Sequence, residues 1–151
     1  MAKKLEADYS AEFGGFILER LLGVVVLKHC DRFTTGIPDL SISNRHGRTV
    51  WIETKRIPPR DKRARRIKEV HRPRTWVDNE MQLNTAVRLG GWYMVIDAWS
   101  ETFLFVKAEH VYRAYHADDL IPETEDSVCD SNLRSFFGNV LTIINKELST
   151  Q

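Results

Sequence analysis

The sequence predicts an α/β domain in which a mixed central sheet is flanked by helices, with a helical addition at the C-terminus. Three observations carry that prediction. Apolar residues recur at helical spacing near both ends, as Phe13, Phe16, Ile17 and Leu21 and again as Leu133, Phe136, Phe137, Val140 and Ile144. Short β-branched and aromatic runs lie between them, bounded by turn residues. A further helical stretch separates two of the strand pairs, so helices and strands alternate along the chain.

Each element follows from local chemistry. Ser10 reads as an N-cap and Gly23 as the stop of a first helix, which Gly14-Gly15 weakens by about 1 kcal/mol per Gly against Ala. Val24 to Lys28 reads as a buried strand. Leu40 to Ser43 and Thr49 to Thr54 read as a hairpin around Asn44-Arg45-His46-Gly47. A helix from Trp76 to Leu89 closes at Gly90-Gly91. Trp92 to Ala98 and Thr102 to Lys107 form a second hairpin, and Ala108 to His116 reads as helical. Beyond an acidic loop, Asn132 to Leu148 reads as the last helix. The order is α-β-β-β-α-β-β-α-α.

Length and composition bound the function. A chain of 151 residues with 42% hydrophobic residues suits one domain over 1–151 with a real core. Its core spans about 7–107, with a basic insert at 56–74 and a helical extension over 108–151. The longest uncharged apolar run, Leu21 to Leu27, is far below the roughly 20 residues a membrane span needs. No apolar stretch follows the basic N-terminus, so a signal peptide is not expected and the reading is cytoplasmic and intracellular. Cys30 and Cys129 make no disulfide framework, the five histidines show no metal spacing, and no Gly-rich phosphate loop implies a nucleotide cofactor.

A net charge of +1 hides a polarised chain. Lys55 to Arg74 holds ten basic residues against two acids, a net of +8. Ala108 to Asp130 holds seven acids against one Arg. Seven of the ten basic residues are Arg, whose planar fork donates bidentate hydrogen bonds to phosphate. Nucleic acid is therefore the leading partner, ahead of an acidic protein or a membrane surface, with Arg56, Arg60, Lys62, Arg63, Arg65, Arg66, Lys68, Arg72 and Arg74 as the candidate backbone contacts.

Chemistry concentrates just before that block. Asp39 opens one hairpin strand and Glu53 lies near the end of its partner, so the two acids can converge across the ladder. Glu53 and Lys55 are two apart and face the same way on a strand, whereas Thr54 faces the opposite way and offers its carbonyl. Two carboxylates and a carbonyl form an oxygen-rich half-shell suited to Mg²⁺, and Mn²⁺ suits the same ligands. The Lys55 ammonium beside them can orient or activate an attacking water. Taken singly, Asp39 is an ordinary turn residue after Pro38, and Glu53 and Lys55 a solvated strand face. Spacing, topology and the adjacent basic block together favour a site.

Gly36-Ile37-Pro38-Asp39-Leu40 followed by Glu53-Thr54-Lys55 resembles the PD-(D/E)XK nuclease superfamily over roughly Ala7 to Lys107. The resemblance implies a restriction-endonuclease-like αβββαβ core. Two branches are similar. VRR-NUC domains share the Gly-x-Pro-Asp-Leu and Glu-x-Lys strings and a following helix carrying a Gln, here Gln82. Archaeal-type Holliday junction resolvases share a Ser-Ala-Glu helix start, here Ser10-Ala11-Glu12. The basic insert between Lys55 and Gln82 departs from both. Asp39, Glu53, the Thr54 carbonyl and a helix acid are then the implied metal ligands, with Glu12 favoured, Glu19 second and Glu6 a further candidate. Lys55 and Gln82 are the remaining implied catalytic residues.

The expected activity is Mg²⁺-dependent endonucleolytic cleavage of DNA, leaving by resemblance a 5′-phosphate and a 3′-hydroxyl, with branched or junction geometry rather than base sequence as the cue. The alternatives are a sequence-specific restriction endonuclease, a non-catalytic DNA-binding or regulatory protein on the same fold, and action on RNA. A homodimer would place two sites on two strands, and Phe136-Phe137-Ile143-Ile144 is either its interface or core.

Overall fold

The computed structural model describes residues 4–29, 36–57, 80–98, 101–111 and 127–149. Six strands form one sheet in the order β1 (Val25–Lys28), β2 (Leu40–Ser43), β3 (Thr49–Ile57), β4 (Trp92–Asp97), β5 (Thr102–Lys107) and β6 (Val128–Asp130). Neighbours are antiparallel except for β3 and β4, which run parallel. A parallel pair needs a crossover, and helix α2 (Glu80–Arg88) lies in that connection. Helices α1 (Glu6–Arg20) and α3 (Leu133–Ser149) complete an α/β fold with a mixed sheet between helices.

The sheet separates two cores. On one side, Phe13 and Ile17 of α1 and Phe136, Phe137, Val140 and Ile144 of α3 meet Leu40, Ile42, Ile52, Trp92, Met94 and Phe105. The Phe13 and Phe137 rings, 5.0 Å apart, tie α1 to α3, while Trp92 stacks on Phe105 at 4.7 Å. Truncating such a buried ring to Ala costs about 3–5 kcal/mol. On the other side, Leu83 and Ala86 of α2 pack with Ile57, Tyr93, Val95, Leu104 and Val106. β4 is therefore buried along its whole length, as a strand covered on both faces must be.

Several sequence expectations shift. The α1 helix begins before Ser10: Asp8 Oδ2 accepts the Leu5 N–H at 2.8 Å and closes the first turn. Ser10 is buried inside the helix instead, donating its Oγ to Thr54 Oγ1 at 2.7 Å. β1 is an edge strand rather than a buried one, with Val25 and Leu27 56% and 51% exposed. β3 runs three residues past the predicted Thr54 because β4 pairs with it as far as Ile57. Val128–Asp130, within the predicted acidic loop, is a strand paired to β5.

Of the predicted helix over 108–116, Ala108–His110 forms a 3-10 turn and Val111 continues it as α-helix, while 112–116 lie outside the described residues. Asn132 Oδ1 accepts the Ser135 N–H at 3.0 Å and caps α3. Phe136, Phe137 and Ile144 are core residues, and Ile143 packs half-buried against them. The hairpin between β2 and β3 forms as expected, with Asn44 Oδ1 accepting the His46 and Arg48 N–H groups. Among the described residues no helix is long and apolar enough to cross a membrane.

Candidate active site

β3 outruns β2. The last paired rung between them is Leu40–Ile52, so Asp39 and Glu53 stand opposite each other one residue beyond it. The N–H groups of β3 past that rung lose their strand partner and are taken by carboxylates. Thr54 N–H donates to Asp39 Oδ2 at 3.0 Å, and Arg56 N–H donates to Glu6 Oε1 at 2.9 Å. Strand geometry turns the carbonyl of Thr54 to the same side as its N–H, toward Asp39.

Leu40, Ile42, Val50 and Ile52 point into the α1–α3 core. Period-two alternation therefore sends Asp39, Glu53 and Lys55 to the α2 face. There Gln82 Nε2 donates to Glu53 Oε1 at 2.9 Å and Lys55 Nζ lies 3.5 Å from the same oxygen. Glu53 is 1% exposed, and its Oε2 has no hydrogen-bond partner among the described residues. Burial, and then the facing Asp39 carboxylate, push the Glu53 carboxyl up to about 8, with Lys55 pulling the other way.

Gly36 explains how α2 comes close enough. Its φ of +95° suits glycine, and a side-chain carbon there would sit 3.2 Å from Thr85 Oγ1 and 3.5 Å from the Met81 carbonyl oxygen. The loop before Asp39 thus packs directly on α2, one residue from Gln82.

The donor set fits a hard, hydrated cation. Two facing carboxylates, one with a buried oxygen lacking a hydrogen bond, and a nearby carbonyl match an ion that takes one or two carboxylates and keeps water or phosphate oxygens. Among the described residues no group of three or more His, Cys, Asp or Glu side chains is arranged to hold a metal.

The chain matches no protein-family model, no curated protein and no solved structure.

Of the residues singled out in the sequence, Asp39, Glu53, Lys55, Thr54 and Gln82 come together. Glu12 does not join them. It lies on the exposed side of α1 in an ion pair with Lys4 at 2.6 Å, and α1 covers the opposite face of the sheet. Glu19 pairs with Arg20 at 3.3 Å. Glu6 is the α1 acid that reaches β3, through the Arg56 N–H. Helical spacing carried that signal: Glu6, Ser10, Phe13 and Ile17 share one stripe, and Glu12 lies off it. Arg56 is described, whereas Arg60, Lys62, Arg63, Arg65, Arg66, Lys68, Arg72 and Arg74 lie outside the described residues.

Proposed function

We propose that this protein is a divalent-metal-dependent endonuclease of DNA, with the PD-(D/E)XK type of site that its motif resembles. One observation carries the reading: Asp39 and Glu53 face each other at the open end of β3, with Lys55 and Gln82 both on Glu53 Oε1 and Glu53 Oε2 without a hydrogen-bond partner among the described residues. Asp39, Glu53 and the Thr54 carbonyl hold the cation. Mg²⁺ or Mn²⁺ there supplies positive charge to the phosphate as negative charge builds on it.

Lys55 orients a water for in-line attack on phosphorus and takes part in moving its proton. Oxygen of water bonds to phosphorus, the bond from phosphorus to O3′ breaks, and a proton ends on O3′. Gln82 fixes the rotamer of Glu53 so that one oxygen stays committed and the other serves the cation. The basic run after Lys55 binds phosphates without reading bases, which favours recognition of strand geometry over sequence.

Labelled duplex, single-stranded, flap, fork and four-way-junction DNA, incubated with Mg²⁺ or with EDTA, tests this. Metal-dependent cutting that disappears in folded Asp39→Asn and Lys55→Ala variants is expected, and the preferred substrate defines the branch. Binding without cutting in Mg²⁺ and in Mn²⁺ overturns the reading in favour of a DNA-binding protein on a nuclease-like fold.

A further inference from the structure

The α2 face of the sheet continues past the carboxylates toward β1. The pairings Leu27–Ser41 and Ser41–Trp51 make one cross-strand row. The next row, extended by the hydrogen bond from His29 N–H to the Asp39 carbonyl, holds His29, Asp39 and Glu53. His29 thus adjoins Asp39, and Trp51 precedes Glu53 by two residues on one strand face, about 6.6 Å along it. The His29 and Trp51 rings lie 5.2 Å apart, inclined by 34°, and His29 Nε2 shares a 2.8 Å hydrogen bond with Ser41 Oγ that fixes the imidazole. This part of the face is open, since Leu27 is 51% exposed and both rings are only half-buried.

We infer that the Trp51–His29 ring pair is a stacking seat for an unpaired nucleobase of the strand whose phosphate sits at Asp39 and Glu53. The inference rests on the phosphodiesterase reading of that site. A flat aromatic surface on an open sheet offers a π-face to any base, and a polar ring edge beside it tolerates all four. The seat is one strand step from the carboxylates, about the reach from a phosphate to the base beside it. The strand that carries Trp51 runs straight into the segment with a net charge of +8, which complements a polyanion and not a basic or apolar partner. A duplex keeps its bases stacked inside, so the seat selects a frayed, flapped or single-stranded end. That gives the site a physical means of preferring strand geometry.

The test measures binding in EDTA, where no hydrolysis occurs. Fluorescence anisotropy follows a short labelled oligothymidylate, a backbone of abasic sites of equal length, and a blunt duplex. Thermal melting first establishes that Trp51→Leu and Trp51→Tyr are folded. Stacking of one base is worth about 1–3 kcal/mol, so Trp51→Leu is expected to weaken oligothymidylate binding roughly 5- to 140-fold. Trp51→Tyr retains most of the affinity, and neither substitution matters for the abasic strand or the duplex. Unchanged oligothymidylate binding by Trp51→Leu, an equal loss on the abasic strand, or a wild type that does not distinguish the two strands each overturns the seat. A wild type that cuts DNA with Mg²⁺ but shows any of those results loses the seat alone. Base-dependent binding in a protein that cuts nothing keeps the seat and overturns the hydrolytic reading.

Discussion

Asp39 and Glu53 face each other one residue past the last rung between β2 and β3, and the two carboxyls are served unequally. Glu53 Oε1 takes both the Gln82 amide and the Lys55 ammonium, while Asp39 commits Oδ2 to the Thr54 N–H. Like charges directly opposite on a sheet are unfavourable, and here one of them is almost wholly buried. An apolar pair would close the end of this hairpin at lower cost. Retaining two acids makes sense where a cation joins them, which is the chemistry the proposed function uses.

That cost has a pH signature in the metal-free protein. The Glu53 carboxyl is raised from 4.5 to about 8, so the folded state holds its proton more tightly than the unfolded chain does. Its contribution to stability is complete below the unfolded value and is lost as pH rises through the folded one. Glu53→Gln keeps an acceptor for Gln82 and removes the ionisation. The variant should match wild type near pH 4 and exceed it above pH 8 by on the order of 4 kcal/mol, at roughly 1.4 kcal/mol per unit. Urea denaturation across pH in EDTA reads this directly, and parallel curves for the two proteins would refute it.

Ser10 and Thr54 make a buried hydroxyl pair that fastens α1 to the back of the strand carrying the site. Removing one hydroxyl leaves the other without that partner, so Ser10→Ala or Thr54→Val alone should cost about 1–3 kcal/mol. The double variant should cost clearly less than the two combined, because no stranded hydroxyl remains. A double-mutant cycle by chemical denaturation measures the coupling. Strict additivity would show that the contact contributes nothing of its own.

Legibility in the sequence divides along physical lines. Local periodicity and turn chemistry revealed α1, the Asn44–Gly47 hairpin, β4, β5 and α3, because those signals lie within a few residues of each other. The Asp39, Glu53, Lys55 and Gln82 cluster was legible because one hairpin and one helix bring the four together. Edge and centre were not, since Val24 to Lys28 reads the same in either place and only non-local pairing makes β1 an edge. Val128–Asp130 is three residues long, too short for any period, and its pairing to β5 comes from tertiary contact. Ser10 looked like a cap because Ser is a good one, but the helix already starts at Glu6, with Leu5 as N-cap and Asp8 in the first turn accepting its N–H. Glu12 was matched to a motif rather than to the buried stripe of its own helix, so the opposite side of the sheet was missed.

Gly36 should be the most sensitive position of the loop before Asp39. Its φ of +95° disfavours any side chain, and an added carbon would press on Thr85 Oγ1 at 3.2 Å. Gly36→Ala is expected to lower stability by about 1–3 kcal/mol and to displace α2, and with it Gln82. Adding Thr85→Ala relieves the contact but not the backbone, so it should restore only part of the loss. Full restoration by the second change would place the whole cost in packing.

Asp39 caps the end of β3 and, in the proposed function, also holds a cation, and a pair of substitutions separates the two roles. As a strand-end cap, it accepts the Thr54 N–H, which Asn can do equally through its side-chain oxygen. As a cation ligand, it supplies a charge that Asn lacks. Asp39→Asn should therefore hold the apo stability of wild type or exceed it, because the repulsion that raises Glu53 is removed. Asp39→Ala leaves the Thr54 N–H without its acceptor and should lose about 1–3 kcal/mol. With Mg²⁺ added, the melting temperature of wild type should climb with concentration as a bound ligand requires, and neither variant should respond. A rise of equal size in Asp39→Asn would remove Asp39 from the cation site while leaving its place at the end of β3 intact.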